Sequence, residues 1–130
     1  MLRSRVTPCL LVQGGGLVKT VKFKDPKYVG DPINAVRIFN EKEADELIIL
    51  AIDASVNNAE PDYKMIENLA KECRMPLCYG GGIKTLADIE KCLKNGCDKV
   101  VINNYIRKND NFLSNAINEF GKQAITVSMD

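Results

Sequence analysis

Short, strongly apolar runs alternate with helical patterns along this whole chain, and that alternation constrains the fold more than any other feature. Strand-type runs rich in Val, Ile and Leu lie at Arg5 to Val12, Glu46 to Asp53, Leu77 to Tyr79, Lys99 to Asn103 and Ala124 to Met129. Between them, helical patterns cover about Pro32 to Lys42, Asp62 to Arg74, Leu86 to Asn95 and Asn111 to Phe120, with apolar residues at three and four spacing such as Ile66, Leu69, Ala70 and Cys73. Asp31-Pro32 and Thr85 mark helix starts, and Gly96 and Gly121 mark stops. Continuous apolar strands separated by helices are how a parallel sheet buries both faces.

A second repeat lies inside the first. Glu43-Ala44-Asp45-Glu46-Leu47-Ile48-Ile49 is paralleled, fifty-three residues later, by Gly96-Cys97-Asp98-Lys99-Val100-Val101-Ile102. A two-unit period is the signature of a barrel built from quarter-barrels, whereas a doubly wound sheet reverses direction at a crossover that need not repeat. The expected fold is therefore α/β, a (βα) barrel. A complete eightfold barrel needs roughly 200 residues or more, so 130 residues encode about half of one. The expectation is a single domain over residues 1–130, with about four βα units plus a fifth strand.

Two further features bear on function. Apolar Pro76 to Tyr79 breaks into Gly80, Gly81 and Gly82, and a helix begins soon after. Glycine backbone can approach a ligand closely, and its N–H groups can point at an anion where the helix puts its positive end, so this junction suits a phosphate. The segment from Gln13 to Gly30 carries Lys19, Lys22, Lys24 and Lys27 over eighteen residues without obvious structure, which reads as a basic binding loop or lid.

Strand side chains alternate faces, giving inward tracks of Arg5, Thr7, Cys9 and Leu11; Glu46, Ile48, Leu50 and Ile52; Lys99, Val101 and Asn103; and Thr126, Ser128 and Asp130. Three tracks begin on a charge, Arg5, Glu46 and Lys99, and opposite signs can close a ring around the N-terminal mouth. The other ends, where barrel active sites lie, finish at Asn103 and Asp130 beside the glycines.

A net charge of +1 with no aromatic cluster beside the lysines excludes a bulk electrostatic case for nucleic acid. No apolar stretch reaches the length that spans a bilayer, so no membrane role and a cytoplasmic location are expected. The five cysteines read as reduced thiols. Although Cys73/Cys78 and Cys92/Cys97 share one gap, no histidine exists to complete a metal site. Neither a metal nor a cofactor is expected.

On these residues the chain resembles the N-terminal half of the cyclase subunit of imidazole glycerol phosphate synthase, a (βα)8 barrel of the ribulose-phosphate-binding type. The resemblance runs through Pro8-Cys9-Leu10, Lys19, Gly30-Asp31-Pro32, Ala44-Asp45-Glu46-Leu47, Gly80-Gly81-Gly82-Ile83, Gly96-Cys97-Asp98-Lys99-Val100, Ile102-Asn103 and Phe120-Gly121. It implies a barrel that receives ammonia from a glutaminase docked at the N-terminal mouth. The ammonia is used at the top on a phosphoribosyl-carboxamide nucleotide. Arg5, Glu46 and Lys99 match the family's charged gate, and Asp98 matches a glutaminase-facing position. Lys19, Gly80, Gly81, Gly82, Asn103 and Asn104 fall in the substrate and phosphate site, and Asp130 matches a catalytic carboxylate.

The resemblance has departures. The family's other catalytic carboxylate, at the end of the first strand, is here Leu11, which has no proton to transfer. Ala51 stands where an aspartate is usual, and Val101-Ile102-Asn103-Asn104 replaces a Ser-Ile-Asn-Thr run. Gly16 to Lys24 and Tyr28 to Asn40 resemble a divergent branch associated with amidating sugars of surface polysaccharides. The reading that follows is an ammonia-using synthase subunit acting on a phosphate-bearing or sugar substrate. Its alternatives are the histidine-pathway cyclase and a non-catalytic half-barrel scaffold. A half-barrel has open strand edges, so a homo-oligomer is expected.

Overall fold

The computed structural model describes residues 7–14, 16–21, 24–54, 60–103 and 110–128. For 19–21, 24–29, 103, 110 and 128 it describes the backbone alone. The elements are β1 (Cys9–Gln13), β2 (Gly16–Val21), β3 (Lys24–Gly30), α1 (Pro32–Glu41), β4 (Leu47–Ala51), α2 (Tyr63–Glu72), β5 (Leu77–Gly80), α3 (Leu86–Lys94), β6 (Lys99–Asn103), α4 (Asp110–Phe120) and β7 (Ile125–Ser128), with a 3₁₀ turn at Lys122–Ala124 before the last strand.

They form one sheet in the order β3-β2-β1-β4-β5-β6-β7. The pairs β1·β4, β4·β5, β5·β6 and β6·β7 are parallel. Each parallel strand therefore neighbours the next parallel strand in chain order, with no point at which the order reverses. That is the α/β half-barrel expected from the quarter-barrel repeat.

One correction concerns the segment from Gln13 to Gly30. It is not a structureless loop, because β2 and β3 form an antiparallel hairpin laid on the free edge of β1, with Val12 opposite Leu17 and Gln13 opposite Gly16. The sequence hides this hairpin because its lysines interrupt the alternation that marks a strand. Elsewhere the expected strands are trimmed: β1 begins at Cys9 rather than Arg5, which lies outside the described residues, and β4 runs Leu47–Ala51 rather than to Asp53.

Helix starts follow the capping chemistry. Asp31 Oδ1 accepts the N–H of Ile33 at 2.9 Å with Pro32 at the first helical position, and Asp62 Oδ1 accepts that of Met65 at 3.0 Å. The helical pattern sends one stripe inward: Val36 from α1, Ile66 and Leu69 from α2, Ile89 and Cys92 from α3 and Ala116 from α4. These pack on Val12, Leu47, Ile49, Ala51, Leu77, Tyr79, Val100 and Ile102. The registers put all eight strand residues on the same face. The helices thus cover one side of the sheet, and the other side is the barrel interior. Among the described residues no helix is long and apolar enough to cross a membrane.

Candidate functional site

The interior face carries the residues of opposite parity. In register across β1, β4, β5 and β6 run Cys9, Ile48, Cys78 and Lys99, and the next row holds Leu11, Leu50, Gly80 and Val101, extended by Thr126 on β7. The tracks drawn from strand alternation therefore share one face. Cys78 and Val101 are buried without belonging to the helix-side core, while Cys9 is exposed and Leu11, Ile48 and Leu50 are half-buried.

At the N-terminal mouth Lys99 Nζ lies 3.3 Å from Glu46 Oε1. Glu46 immediately precedes β4 and Lys99 opens β6, so the two side chains meet across the intervening strand β5 beneath Cys78. The Glu46 side chain is only 13% exposed and that of Lys99 36%. A pair so placed lies between exposed pairs, worth about 0.2–1 kcal/mol, and buried ones, whose breaking costs about 3–5 kcal/mol. Burial pushes the Cys78 thiol up to about 12; the Glu46 carboxylate adds to the rise and Lys99 opposes it. Cys78 is accordingly an inert thiol in the barrel wall.

Asp98, next to Lys99, is held by its own chain. Its Oδ2 accepts the N–H of Leu77 at 2.8 Å, and its N–H donates to the Leu77 carbonyl at 2.8 Å. This double contact ties the start of β6 to the start of β5, and Asp98 as a residue is exposed. Arg5 falls outside the described residues.

At the C-terminal rim the three glycines are required sterically. A Cβ on Gly80 would sit 2.8 Å from Val101 Cβ and 2.9 Å from Leu50 Cδ2, and one on Gly81 2.7 Å from the Ala51 carbonyl oxygen. Gly81 and Gly82 have φ of 134° and 75°, which favours glycine.

The helix end beyond them carries its own side-chain cap. Thr85 Oγ1 accepts the Asp88 N–H at 3.1 Å, and Asp88 Oδ2 accepts the N–H groups of Lys84 and Thr85 at 3.0 and 3.1 Å. Tyr63 donates its hydroxyl to Asp88 Oδ1 at 3.1 Å. Partial burial raises the Asp88 carboxyl, but the donors from Lys84, Thr85 and Tyr63 outweigh it and hold the group below its usual range.

Of the other residues singled out, Leu11 lies on the interior face opposite Leu50. Lys19 lies in β2 with its backbone opposite Lys27, and Asn103 ends β6 opposite Ser128. Asn104 and Asp130 lie outside the described residues. Sequence reasoning gave no role to Asp53, whose Oδ2 accepts the Gly14 N–H at 3.1 Å from 39 residues away. Its place just past a strand end is the signal that could have found it. Among the described residues no group of three or more Cys, Asp or Glu could hold a metal ion.

A family model described as histidine biosynthesis protein matches residues 5–130. The chain is 57% identical over 130 residues to a protein of Vibrio vulnificus named putative imidazole glycerol phosphate synthase subunit hisF3, covering all of this chain and 50% of that protein. It is likewise 57% identical to a putative hisF2 subunit of Pseudomonas aeruginosa, covering 52% of it, and 49% identical to one of Campylobacter jejuni, again covering 52%. The chain thus spans about half the length of the curated relatives it matches. With its match running from residue 5 to residue 130, the chain belongs to the histidine biosynthesis protein family.

Proposed function

We propose that the chain forms half of the synthase subunit of a glutamine amidotransferase. Ammonia from a glutaminase subunit docked beneath Glu46, Lys99 and Asp98 passes along the interior face and reacts at the C-terminal rim with a phosphate-bearing substrate. The observation that carries this reading is the Glu46–Lys99 pair reaching across β5 below the row of Leu11, Leu50 and Val101. An apolar lining lets neutral ammonia pass and penalises the ammonium ion, whose desolvation is far more costly. Phosphate is held by the N–H groups around Gly81 and Gly82, together with Lys19, Asn103 and Asn104. Asp130 supplies the carboxylate.

The acceptor we favour is a sugar or its activated form, because Leu11 removes one of the two carboxylates that ring cyclisation uses. The names of the relatives favour a second reading, the histidine-pathway cyclase. The two separate on one assay: turnover of the phosphoribosyl-carboxamide nucleotide with ammonia, comparing the unmodified chain with Leu11→Asp. Sugar amidation expects no turnover before the substitution, and turnover by the unmodified chain defeats it.

The half-covered interior row and the end strands β3 and β7 leave room for a second set of βα units. Were 130 residues the natural length, a second copy would supply these as a homo-oligomer, and sedimentation of a compact monomer at micromolar concentration would refute that. Five free cysteines fit a reducing, cytoplasmic setting.

A further inference from the structure

Two neighbouring residues at the start of α2 hold both ends of the glycine turn between β5 and α3. On the strand side, Tyr79 directly precedes Gly80 and is 1% exposed. Its hydroxyl oxygen accepts the N–H of Asp62, the residue that caps α2, at 3.1 Å. On the helix side, Tyr63 donates its hydroxyl to Asp88 Oδ1 at 3.1 Å, and Asp88 Oδ2 accepts the N–H groups of Lys84 and Thr85 at 3.0 and 3.1 Å. A bond at residue 79 and a relay ending at residues 84 and 85 therefore bracket Gly80, Gly81, Gly82 and Ile83.

The capping box of α3 needs only Thr85 and Asp88, so the Tyr63 contact does something more. It comes from a different helix, 25 residues away, and engages Oδ1 while the backbone donors engage Oδ2. Lys91, one turn beyond Asp88 on α3, places its Nζ 5.6 Å from the centroid of the Tyr63 ring, within cation–π reach. Partial burial, with the Asp88 charge beside it, pushes the Tyr63 hydroxyl above its usual range and keeps it a donor. The turn is short, and Gly81 and Gly82 sit at φ of 134° and 75°, a region where glycine moves freely. The direction of their N–H groups thus depends on how the two ends are held.

From this geometry we infer that Tyr63 is a positioning residue: acting through the Asp88 carboxylate, it fixes the far end of the glycine turn so that the Gly81 and Gly82 N–H groups present one arrangement to a phosphate. The inference rests on the reading of that turn as the phosphate-holding backbone.

The test uses the 130-residue chain, with inorganic phosphate as the probe and the amide signals of residues 81–85 as the readout. Tyr63→Phe removes one oxygen and keeps the ring over which Lys91 lies. It should shift those signals and weaken phosphate binding by about threefold to tenfold, part of what a hydrogen bond to a charged group is worth. Asp88→Ala should weaken binding at least as much. Because Tyr63 acts through Asp88, adding Tyr63→Phe to Asp88→Ala should weaken it no further. Asp88→Asn keeps a carbonyl oxygen for Lys84 and Thr85 and gains an amide that can donate to the Tyr63 hydroxyl, so it should bind within about twofold of the unmodified protein. Unchanged affinity in Tyr63→Phe, additive losses in the double variant, or an Asp88→Asn variant as weak as Asp88→Ala overturns the inference.

If Asp88→Ala does not fold, Tyr63→Phe against the unmodified protein still decides. Phosphate that leaves the Gly81 and Gly82 signals of the unmodified protein unmoved defeats the phosphate site instead. In that event the shifts of residues 81–85 among the same variants without phosphate judge Tyr63: a shift in Tyr63→Phe that disappears in the Asp88→Ala background supports the positioning role, and no shift refutes it.

Discussion

Replacing Glu43 by glycine should stabilise this protein. The ends of α1 and α3 are built alike. The Glu43 N–H donates to the Asn40 carbonyl at 3.2 Å and that of Ala44 to the Phe39 carbonyl at 3.1 Å; Gly96 donates to Leu93 at 3.2 Å and Cys97 to Cys92 at 3.1 Å. Both are Schellman closures, which place one residue in the left-handed region. At α3 that residue is Gly96, with φ of 121°, but at α1 it is Glu43, with φ of 54°, the only non-glycine residue of positive φ among those described. A side chain there costs about 1–2 kcal/mol, and the extra backbone entropy that glycine loses returns about 0.5–1 kcal/mol of this. Glu43 is exposed, so its removal disturbs no packing. The net gain is about 0.5–1 kcal/mol, an increase of a few degrees in Tm for a domain of this size. Gly96→Ala is the mirror experiment, because its Cβ would come 2.4 Å from Ala70 Cβ. It should cost about 2–4 kcal/mol through strain and overpacking together, and Ala70→Gly should return part of that loss. Urea denaturation of Glu43→Gly, Gly96→Ala and the Gly96→Ala/Ala70→Gly double variant against the parent measures both. A Glu43→Gly protein less stable than its parent, or a Gly96→Ala protein of unchanged stability, would refute the equivalence of the two helix ends.

Three further outcomes follow from particular contacts. Lys99→Ala and Glu46→Ala should each lower stability by about 1–2 kcal/mol, and a double-mutant cycle should show favourable coupling; zero coupling would mean the pair is no more than a solvated contact. Asn40 lies on α1, yet it donates to the Glu72 carbonyl at 2.7 Å and accepts the Arg74 N–H at 2.9 Å. Asn40→Ala, which strands both groups at the end of α2, should cost about 1–3 kcal/mol in urea titrations, and Asn40→Asp should recover only the half served by its acceptor. The Cys78 and Cys92 thiols, raised by burial from 9.0 to about 12, should resist a thiol reagent at pH 8 until the protein unfolds. Because the unfolded chain releases these protons first, stability from this source is complete below about pH 9 and declines as pH rises from 9 to 12; stability that rises across that range would contradict the burial.

How far the sequence discloses this fold depends on whether one segment carries its own instructions. The parallel core is legible because its strands are apolar throughout and each helix is punctuated by Asp31-Pro32, Thr85, Gly96 or Gly121. Gly96 and Glu43 occupy equivalent places at two helix ends, so the fifty-three-residue repeat has a physical meaning in the sequence itself. The β2–β3 hairpin is not legible. Its strands draw their order from pairing with β1, where Leu17 meets Val12, and nothing within Gln13 to Gly30 alternates regularly enough to announce that partner. Asn40 is hidden for the same reason, since its bonding partners lie 32 and 34 residues away in sequence.

The candidate site divides along the same line. Its N-terminal mouth can be read from strand parity alone, because parity places Glu46 and Lys99 on one face and the even spacing of a parallel sheet does the rest. The C-terminal rim can be read only for its glycines, whose need is local and steric. Which groups there remain able to receive an anion depends on what other groups have already taken, and that is a tertiary matter. Asp88, reading as an ordinary first-turn carboxylate, fills the end of α3, whereas Asp53, reading as the tail of a strand, reaches back to Gly14. Two acidic residues at strand and helix boundaries thus do different things at the rim: one caps a helix, and the other holds the backbone at Gly14. Substituting Asp88 should accordingly loosen α3 without touching the hairpin, and substituting Asp53 should loosen the hairpin without touching α3. Exchange profiles that moved together in the two variants would show the rim to be one cooperative unit, contrary to the separation of these contacts.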